Sequence, residues 1–247
     1  MEQKGKHTFG LIGKKLGHSF SKSFFTEFFE KFDIDATFSN FELENIHEIT
    51  PLLARSMGGL SVTIPYKEQI IPFLDELSIE AQTIGAVNCV QFLNGKTIGH
   101  NTDAYGFQQS IKPFLTNQHE RALVLGTGGA SKAVEYVLNN LGIDVVVISR
   151  TPKKSNEFRY DEINNHMLNA CKLIVNATPI GTFPNIDDCI LFPFEFLTPN
   201  HLVIDLIYNP SKTKLLQESE KQGVQILNGE SMLKQQALKS WEIWNRQ

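Results

Sequence analysis

Apolar residues recur along this chain in two rhythms, and the rhythm changes several times. Residues His7 to Gly13, HTFGLIG, form a short apolar run closed by glycine, as a strand does. A serine-rich turn follows. Phe24, Phe25, Phe28, Phe29 and Phe32 then fall at helical spacing and give a helix over 21–32 one apolar, core-packing face. Residues 36–43, ATFSNFEL, alternate as a second strand. Residues 45–56 read as a helix, and 58–65, GGLSVTIP, as a third strand that Pro65 ends. A helix is expected over 66–77, interrupted or kinked at Pro72. Residues 86–101 read as a hairpin turning on Asn94-Gly95.

The organisation changes near Asn101. Residues 103–115 read as a connecting helix. After a polar stretch comes RALVLGTGGASKAVEYVLNNLGIDVVVISRT, which is strand, glycine loop, helix and strand, a βαβ unit. CKLIVNAT and HLVIDLIY are two further apolar strands. KTKLLQESEKQG is helical, VQILNG is a short strand, and SMLKQQALKSWEIW is a terminal amphipathic helix. Strands alternating with helices predict an α/β fold with a parallel, doubly wound sheet. Between Arg150 and Cys171 the chain is too short for helix, strand and helix, so a trimmed element is expected there, a helix lost after Thr151.

Composition narrows the function classes. A chain of 247 residues makes one large domain or two modest ones, and with 41% apolar and 20% charged residues it has material for a real core. Net charge is -4 without a block of one sign, which favours neither nucleic acid nor a membrane surface as partner. Cys89, Cys171 and Cys189 are odd in number, widely spaced and free of metal-ligand pairing, so no metal is expected and free thiols in a reducing cytoplasm are. The start, MEQKGKHTFG, has no apolar signal core, and no apolar run approaches the ~18 residues of a membrane span. A cytoplasmic protein with a small-molecule substrate is the expectation.

The glycine loop carries the first specific chemistry. Gly126, Gly128, Gly129 and Ala130 lie between a strand and a helix, where backbone N–H groups face a phosphate without an obstructing side chain. Gly126 suits the tight turn and Gly128 the approach of a pyrophosphate, while Ser131 takes the place of the third small residue. A structural glycine turn has the same local sequence, but the βαβ setting favours a dinucleotide. The end of the next strand reads Ser149-Arg150-Thr151, followed by Lys153 and Lys154, where an NAD site places an acidic residue. Cations there suit the 2′-phosphate of NADP, with Arg150 able to stack on adenine and bond phosphate.

Other polar residues stand at strand ends of the first half. His18-Ser19-Phe20-Ser21 offers two hydroxyls at a helix start, suited to a carboxylate and equally to an ordinary N-cap. Thr63 and Lys67 flank Pro65. Asn88 sits in an apolar segment and needs partners. Lys67 and Asp103 together would form a proton-transfer pair, although a lysine past a strand end is also ordinary solvated surface.

The segments HTFGLIGKKLGHSFSKSFF, GGLSVTIPYK, GAVNCV, GHNTDAYG, LGTGGASKA, VISRT, VNATPIGT, IDLIYNPSKTKLL and NGESMLKQQA occur in the order found in shikimate dehydrogenases. From about His7 to Trp244 the chain resembles that family. The resemblance implies two domains with a cleft between them: a substrate domain of residues 1–101 with 227–247, including the returning last helix, and a Rossmann-type NADP-binding domain of residues 102–226. It implies NADPH-dependent, reversible reduction of 3-dehydroshikimate to shikimate, a step of aromatic amino acid biosynthesis, by a monomer or homodimer. By residue match, Ser19 and Ser21 hold the substrate carboxylate. Thr63, Asn88, Tyr208 and Gln236 contact its ring hydroxyls or carboxylate, and Lys67 and Asp103 are the catalytic pair. Asn176, Thr178, Ile207 and Gly229 line the nicotinamide side, with Ser149, Arg150, Thr151 and Lys154 at the adenosine end. The chain departs from the family pattern at Lys22, Phe25-Thr26, Ser61, Cys89 and Thr127, which bears on substrate affinity more than on reaction type.

Three rival readings remain at this stage. A quinate or dual-specificity relative would favour NAD and an acid near the ribose, against which Arg150 argues. An idle NADP-binding regulator is opposed by retention of Lys67 and Asp103. A folate-type dehydrogenase is opposed by the HSFS, SVTIPYK and NTD segments.

Overall fold

The computed structural model describes residues 7–17, 19–55 and 57–246. The polar amino terminus, His18 of the serine turn and the last residue of the 45–56 segment lie outside them. The chain divides into two compact units, one running to Thr102 and resuming at Gln236, the other comprising Asp103–Gln235.

The first unit contains β1 (His7–Gly13), α1 (Phe20–Lys31), β2 (Ala36–Glu42), α2 (Thr50–Leu53), β3 (Gly59–Val62), α3 (Tyr66–Gln69), β4 (Glu76–Leu77), α4 (Ile79–Ile84), β5 (Cys89–Leu93) and β6 (Lys96–His100). Its sheet has the order β2-β1-β3-β5-β6-β4. β1 pairs in parallel with β2 and with β3, so both of its edges are bonded, and with core clusters on both faces of the sheet its apolar run is buried from Phe9 onward. β3, β5 and β6 are antiparallel neighbours. Asn94 and Gly95 turn the β5–β6 hairpin with φ of 52° and 76°, the left-handed pair that a two-residue hairpin loop requires.

Ser19 caps α1 by accepting the N–H of Lys22 at 3.2 Å. The buried Phe25 and Phe29 face the sheet, Phe25 stacking on Phe38 of β2 with ring centroids 4.8 Å apart. The ring of Phe9 meets Trp244 at 5.2 Å and Trp241 at 5.4 Å, and a Cβ on Gly59 would fall 2.3 Å from the Trp244 indole. Rings in such contact contribute ~0.5–1.5 kcal/mol per pair beyond the burial of their area. The opposite face of the sheet packs Ile12, Leu60, Val62, Ile70 and Val90 around Tyr66, whose hydroxyl donates to the carbonyl of Leu43.

Two helices expected in this unit are broken up. Over 45–56 a 3-10 turn, Ile46–Ile49, precedes the short α2, because Pro51 lacks an N–H and fits only a first helical turn. Over 66–77 α3 gives way to a 3-10 turn at Ile71–Phe73 around Pro72, and the segment ends as strand β4 beside β6.

The second unit takes in α5 (Thr102–Ile111) beyond its first residue. It continues with β7 (Arg121–Leu125), α6 (Gly129–Asn140), β8 (Asp144–Ile148), β9 (Glu157–Phe158), α7 (Asn165–Ala170), β10 (Leu173–Asn176), β11 (Leu202–Asp205), α8 (Lys214–Lys221), β12 (Gln225–Leu227) and the start of α9 (Glu230–Trp244). Its sheet is parallel throughout, in the order β12-β11-β10-β7-β8-β9. The order reverses direction at β7, and ligands of such sheets bind outside the carboxyl ends of the strands at that switch point. β10 and β11 are buried at every residue, as strands covered on both faces must be. No helix joins β8 to β9, the trimmed element expected after Thr151.

α9 ends within the first unit. There Trp244 Nε1 donates to the carbonyl of Val90 at 3.1 Å, and Gln91 Nε2 donates to the carbonyl of Ile243 at 2.8 Å.

Candidate active site

In the first unit the polar candidates converge where β3 ends. The N–H of Thr63 donates to Ile12 O and the N–H of Tyr66 to Thr63 O, so the chain turns over Thr63 into α3 and sets Lys67 on that helix. Val62 N donates to Asn88 O and Val87 N to Lys67 O, at 2.8 and 2.7 Å, fastening the Asn88 segment to both. Lys67 and Thr63 are half-buried and Asn88 is buried.

The Asn88 amide is fully used. Its Oδ1 accepts the N–H of Thr102 at 2.6 Å, capping the first turn of α5, and its Nδ2 donates to Thr102 Oγ1 at 3.0 Å and Gln236 Oε1 at 3.3 Å. Thr102 Oγ1 lies 3.0 Å from Ser240 Oγ, which donates to the carbonyl of Gln236 at 2.9 Å. All four residues are buried, and satisfied networks of this kind fix each member's orientation. With Oε1 of Gln236 turned toward Asn88 and Thr102, its Nε2 has no hydrogen-bond partner among the described residues. Thr102 and Ser240 escaped the reading of the sequence. Thr102 had a signal, its place in GHNTDAYG, and Ser240 had none.

Ser19 and Ser21 stand half-buried at the start of α1, where Ser19 serves as N-cap. Asp103 and Tyr208 belong to the second unit, Asp103 buried in the first turn of α5 and Tyr208 half-buried just past β11.

In the second unit the glycine turn sits at the carboxyl end of β7, beside the switch point. Gly126 has φ of 106°, which a side chain would strain, and its N–H donates to Ile148 O. A Cβ at Gly128 would meet nothing within 4 Å, and no side chain caps α6 there. The first turn of α6 therefore presents its N–H groups and partial positive charge to open space, which fits a pyrophosphate. Ser131 Oγ donates to Gly126 O at 2.6 Å and holds the turn. Gly129 and Ala130 are half-buried in that first turn.

Past β8, Ser149 is buried and accepts the N–H of Thr151 on its Oγ, while Arg150, Lys153 and Lys154 are exposed. Exposed cations at this strand end, with no acidic residue over 149–156, fit a ribose carrying a 2′-phosphate.

The strand ends of β10 and β11 are braced by a carboxylate that the sequence did not single out. Asp205 is fully buried. Its Oδ1 accepts from Asn176 Nδ2 at 3.0 Å and Ile207 N at 3.1 Å, and its Oδ2 accepts from Thr213 Oγ1 at 2.6 Å. Asn176 Oδ1 in turn accepts the N–H and hydroxyl of Thr178, at 2.9 and 2.7 Å. Burial pushes the Asp205 carboxyl up to about 6 despite these three donors. Gly229 must be glycine, since a Cβ would lie 2.0 Å from Leu206 O, and its N–H donates to Ile207 O. Asn176, Thr178, Ile207 and Gly229 thus form one bonded group at the strand ends.

Residues 11–90 match the sequence model of the shikimate dehydrogenase substrate-binding domain. An NADP(+) shikimate dehydrogenase from Desulforamulus reducens is 35% identical, the match covering 95% of this chain and 88% of that one. The crystal structure of shikimate dehydrogenase from Aquifex aeolicus superposes with a TM-score of 0.86 at 33% identity, over 99% of this chain and 94% of that one. A Thermus thermophilus shikimate 5-dehydrogenase in complex with NADP(H) and shikimate gives a TM-score of 0.86 at 29% identity, over 97% and 93%.

Proposed function

Because this chain belongs to the shikimate dehydrogenase family, we propose that it reduces 3-dehydroshikimate reversibly to shikimate, with NADP as its cofactor. It is an oxidoreductase of the shikimate pathway, which leads to the aromatic amino acids. When bound, NADPH supplies the hydride.

The remaining chemistry falls to side chains. Ser19 and Ser21 anchor the substrate carboxylate. Thr63, Tyr208 and Gln236 orient the ring through its polar groups, and Asn88, its amide spent within the protein, sets the orientation of Gln236. The Lys67 ammonium stabilises the charge that grows on the ketone oxygen and gives its proton to that oxygen, with Asp103 as the carboxylate of the pair. In the oxidative direction Lys67 Nζ takes the hydroxyl proton. Gly126, Gly128, Gly129 and Ala130 hold the pyrophosphate. Ser149, Arg150, Thr151 and Lys154 bind the phosphorylated ribose, and Thr178, Ile207 and Gly229 line the nicotinamide side.

The observation that carries the assignment of residues is the buried Asn88–Thr102–Gln236 cluster beside the Lys67 segment. It spends the inward-facing amide groups on one another and leaves Gln236 Nε2 for a ligand oxygen. Exposed cations past β8 support NADP over NAD. Among the described residues no helix is long and apolar enough to cross a membrane. The three free thiols suit a reducing cytoplasm as the place of action.

The test follows reduced nicotinamide at high pH, with shikimate or quinate as substrate and NADP or NAD as oxidant. Shikimate with NADP is the expected best pair. Lys67→Ala is expected to lower kcat by about 10²–10⁴ while KM for shikimate changes little. A near-normal kcat in that variant would refute the role given to Lys67.

A further inference from the structure

The turn after β8 carries three cations, Arg150, Lys153 and Lys154, on residues 149–156, with neither a helix to shape it nor an acidic residue of its own. Backbone bonds close it at its base, Val147 N to Asn156 O and Ser149 N to Phe158 O, at 2.9 and 2.8 Å. Its outer arc is held by Glu157, the first residue of β9. Glu157 Oε2 accepts the N–H of Lys153 at 2.7 Å, and its own N–H donates to Lys154 O at 3.1 Å. Glu157 Oε1 lies 3.9 Å from Lys154 Nζ, its side chain only 7% exposed where that of Lys154 is 69% exposed. The ion pair by itself is weak, because the lysine is solvated. The charge-assisted bond to a backbone N–H, made by a buried carboxylate, is the strong part. The charge of Lys154 also reaches Glu135 of α6, which accepts from Ser131 Oγ at 3.2 Å, so the arc and the glycine turn share neighbours.

We propose that Glu157 is a positioning residue for cofactor selection: its buried carboxylate replaces a helix as the device that fixes the 149–156 turn, so that Arg150 and Lys154 meet a 2′-phosphate in one geometry. This rests on the assignment of that turn to the phosphorylated ribose. The carboxylate acts through the backbone of Lys153, which explains how a negative charge beside an anion-binding turn favours the anion.

The test is calorimetric titration of the full chain with adenosine 2′,5′-bisphosphate and with adenosine 5′-monophosphate. Glu157→Ala is expected to weaken the bisphosphate about tenfold, the worth of one hydrogen bond to a charged group, and to leave the monophosphate unchanged. Glu157→Gln keeps an acceptor for the Lys153 N–H without its charge and is expected to lose only about threefold, since that bond becomes a neutral one and the exposed pair with Lys154 is lost. Tighter bisphosphate binding in both variants would mean that Glu157 acts only as a repelling charge. Equal weakening of both nucleotides would mean a merely structural role. Either result overturns the proposal. If Glu157→Ala does not fold, Glu157→Asp, which keeps the charge but withdraws it from the Lys153 N–H, is expected to show the same selective loss, and wild-type affinity there overturns the proposal. Arg150→Ala tests the premise separately: unchanged bisphosphate binding in that variant removes the ribose site from this turn, whatever Glu157 does.

Discussion

Asp205 shows what a single buried group does to the whole chain. Its carboxyl titrates near 6 in the fold and near its ordinary value of 3.8 when the chain is unfolded, because burial disfavours the charge. Between those values the native state holds the proton more tightly. The stability it contributes is therefore full below about pH 4 and is lost as pH rises through about 6, a change on the order of 3 kcal/mol. An amide fits the same place: its oxygen keeps Asn176 and Ile207 as donors, and its nitrogen donates to Thr213 Oγ1. Relative to wild type, Asp205→Asn is expected to gain on the order of 3 kcal/mol between pH 4 and pH 7. Urea unfolding at stepped pH, followed by far-ultraviolet circular dichroism, measures this, and a stability difference that does not vary with pH contradicts it. Asp205, Thr102 and Ser240 were hard to see in the sequence for one reason. Each has a partner distant along the chain, Asn176 lying 29 positions from Asp205 and Ser240 138 from Thr102, and no local pattern records such a pair.

At the scale of elements, the sequence was most readable where local chemistry and tertiary setting agreed. The Asn94-Gly95 hairpin needs left-handed residues and has them, and the βαβ run around Gly126 keeps its strand, turn and helix. Of the five phenylalanines at helical spacing, Phe25 and Phe29 are buried and Phe24 and Phe28 half-buried, whereas Phe32, at the C-cap of α1, is exposed and packs no core. The reading failed where a proline and a strand partner outweighed helical periodicity, as in 45–56 and 66–77, where β6 recruits Glu76 and Leu77. α4 was not foreseen. It is one short helix, started by a Ser78 cap on Ala81 N and stopped at Gly85 with φ of 70°. Packing between elements is equally specific. Gly59→Ala drives a methyl group into the Trp244 indole and strains its bond to Val90 O, so a loss of about 1–3 kcal/mol is expected. Differential scanning calorimetry measures it, and an unchanged melting temperature contradicts the packing described.

For the whole molecule, the proposed allocation puts the cofactor on the second unit and most of the substrate contacts on the first. At a hundred times its Kd, NADP+ stabilises the state that binds it by about 2.7 kcal/mol. Amide hydrogen exchange is expected to slow around Gly126 and over 149–156 when NADP+ is added, and around Lys67 and Asn88 when shikimate is added. Exchanged footprints would refute the allocation. One further property follows from α9. The only two tryptophans of the chain, Trp241 and Trp244, lie on the part of that helix which belongs to the first unit, against Phe9 and α1. Indole emission therefore reports on the first unit, while four of the five tyrosines, Tyr105, Tyr136, Tyr160 and Tyr208, lie in the second, so changes in the two can be told apart by colour in the unlabelled protein.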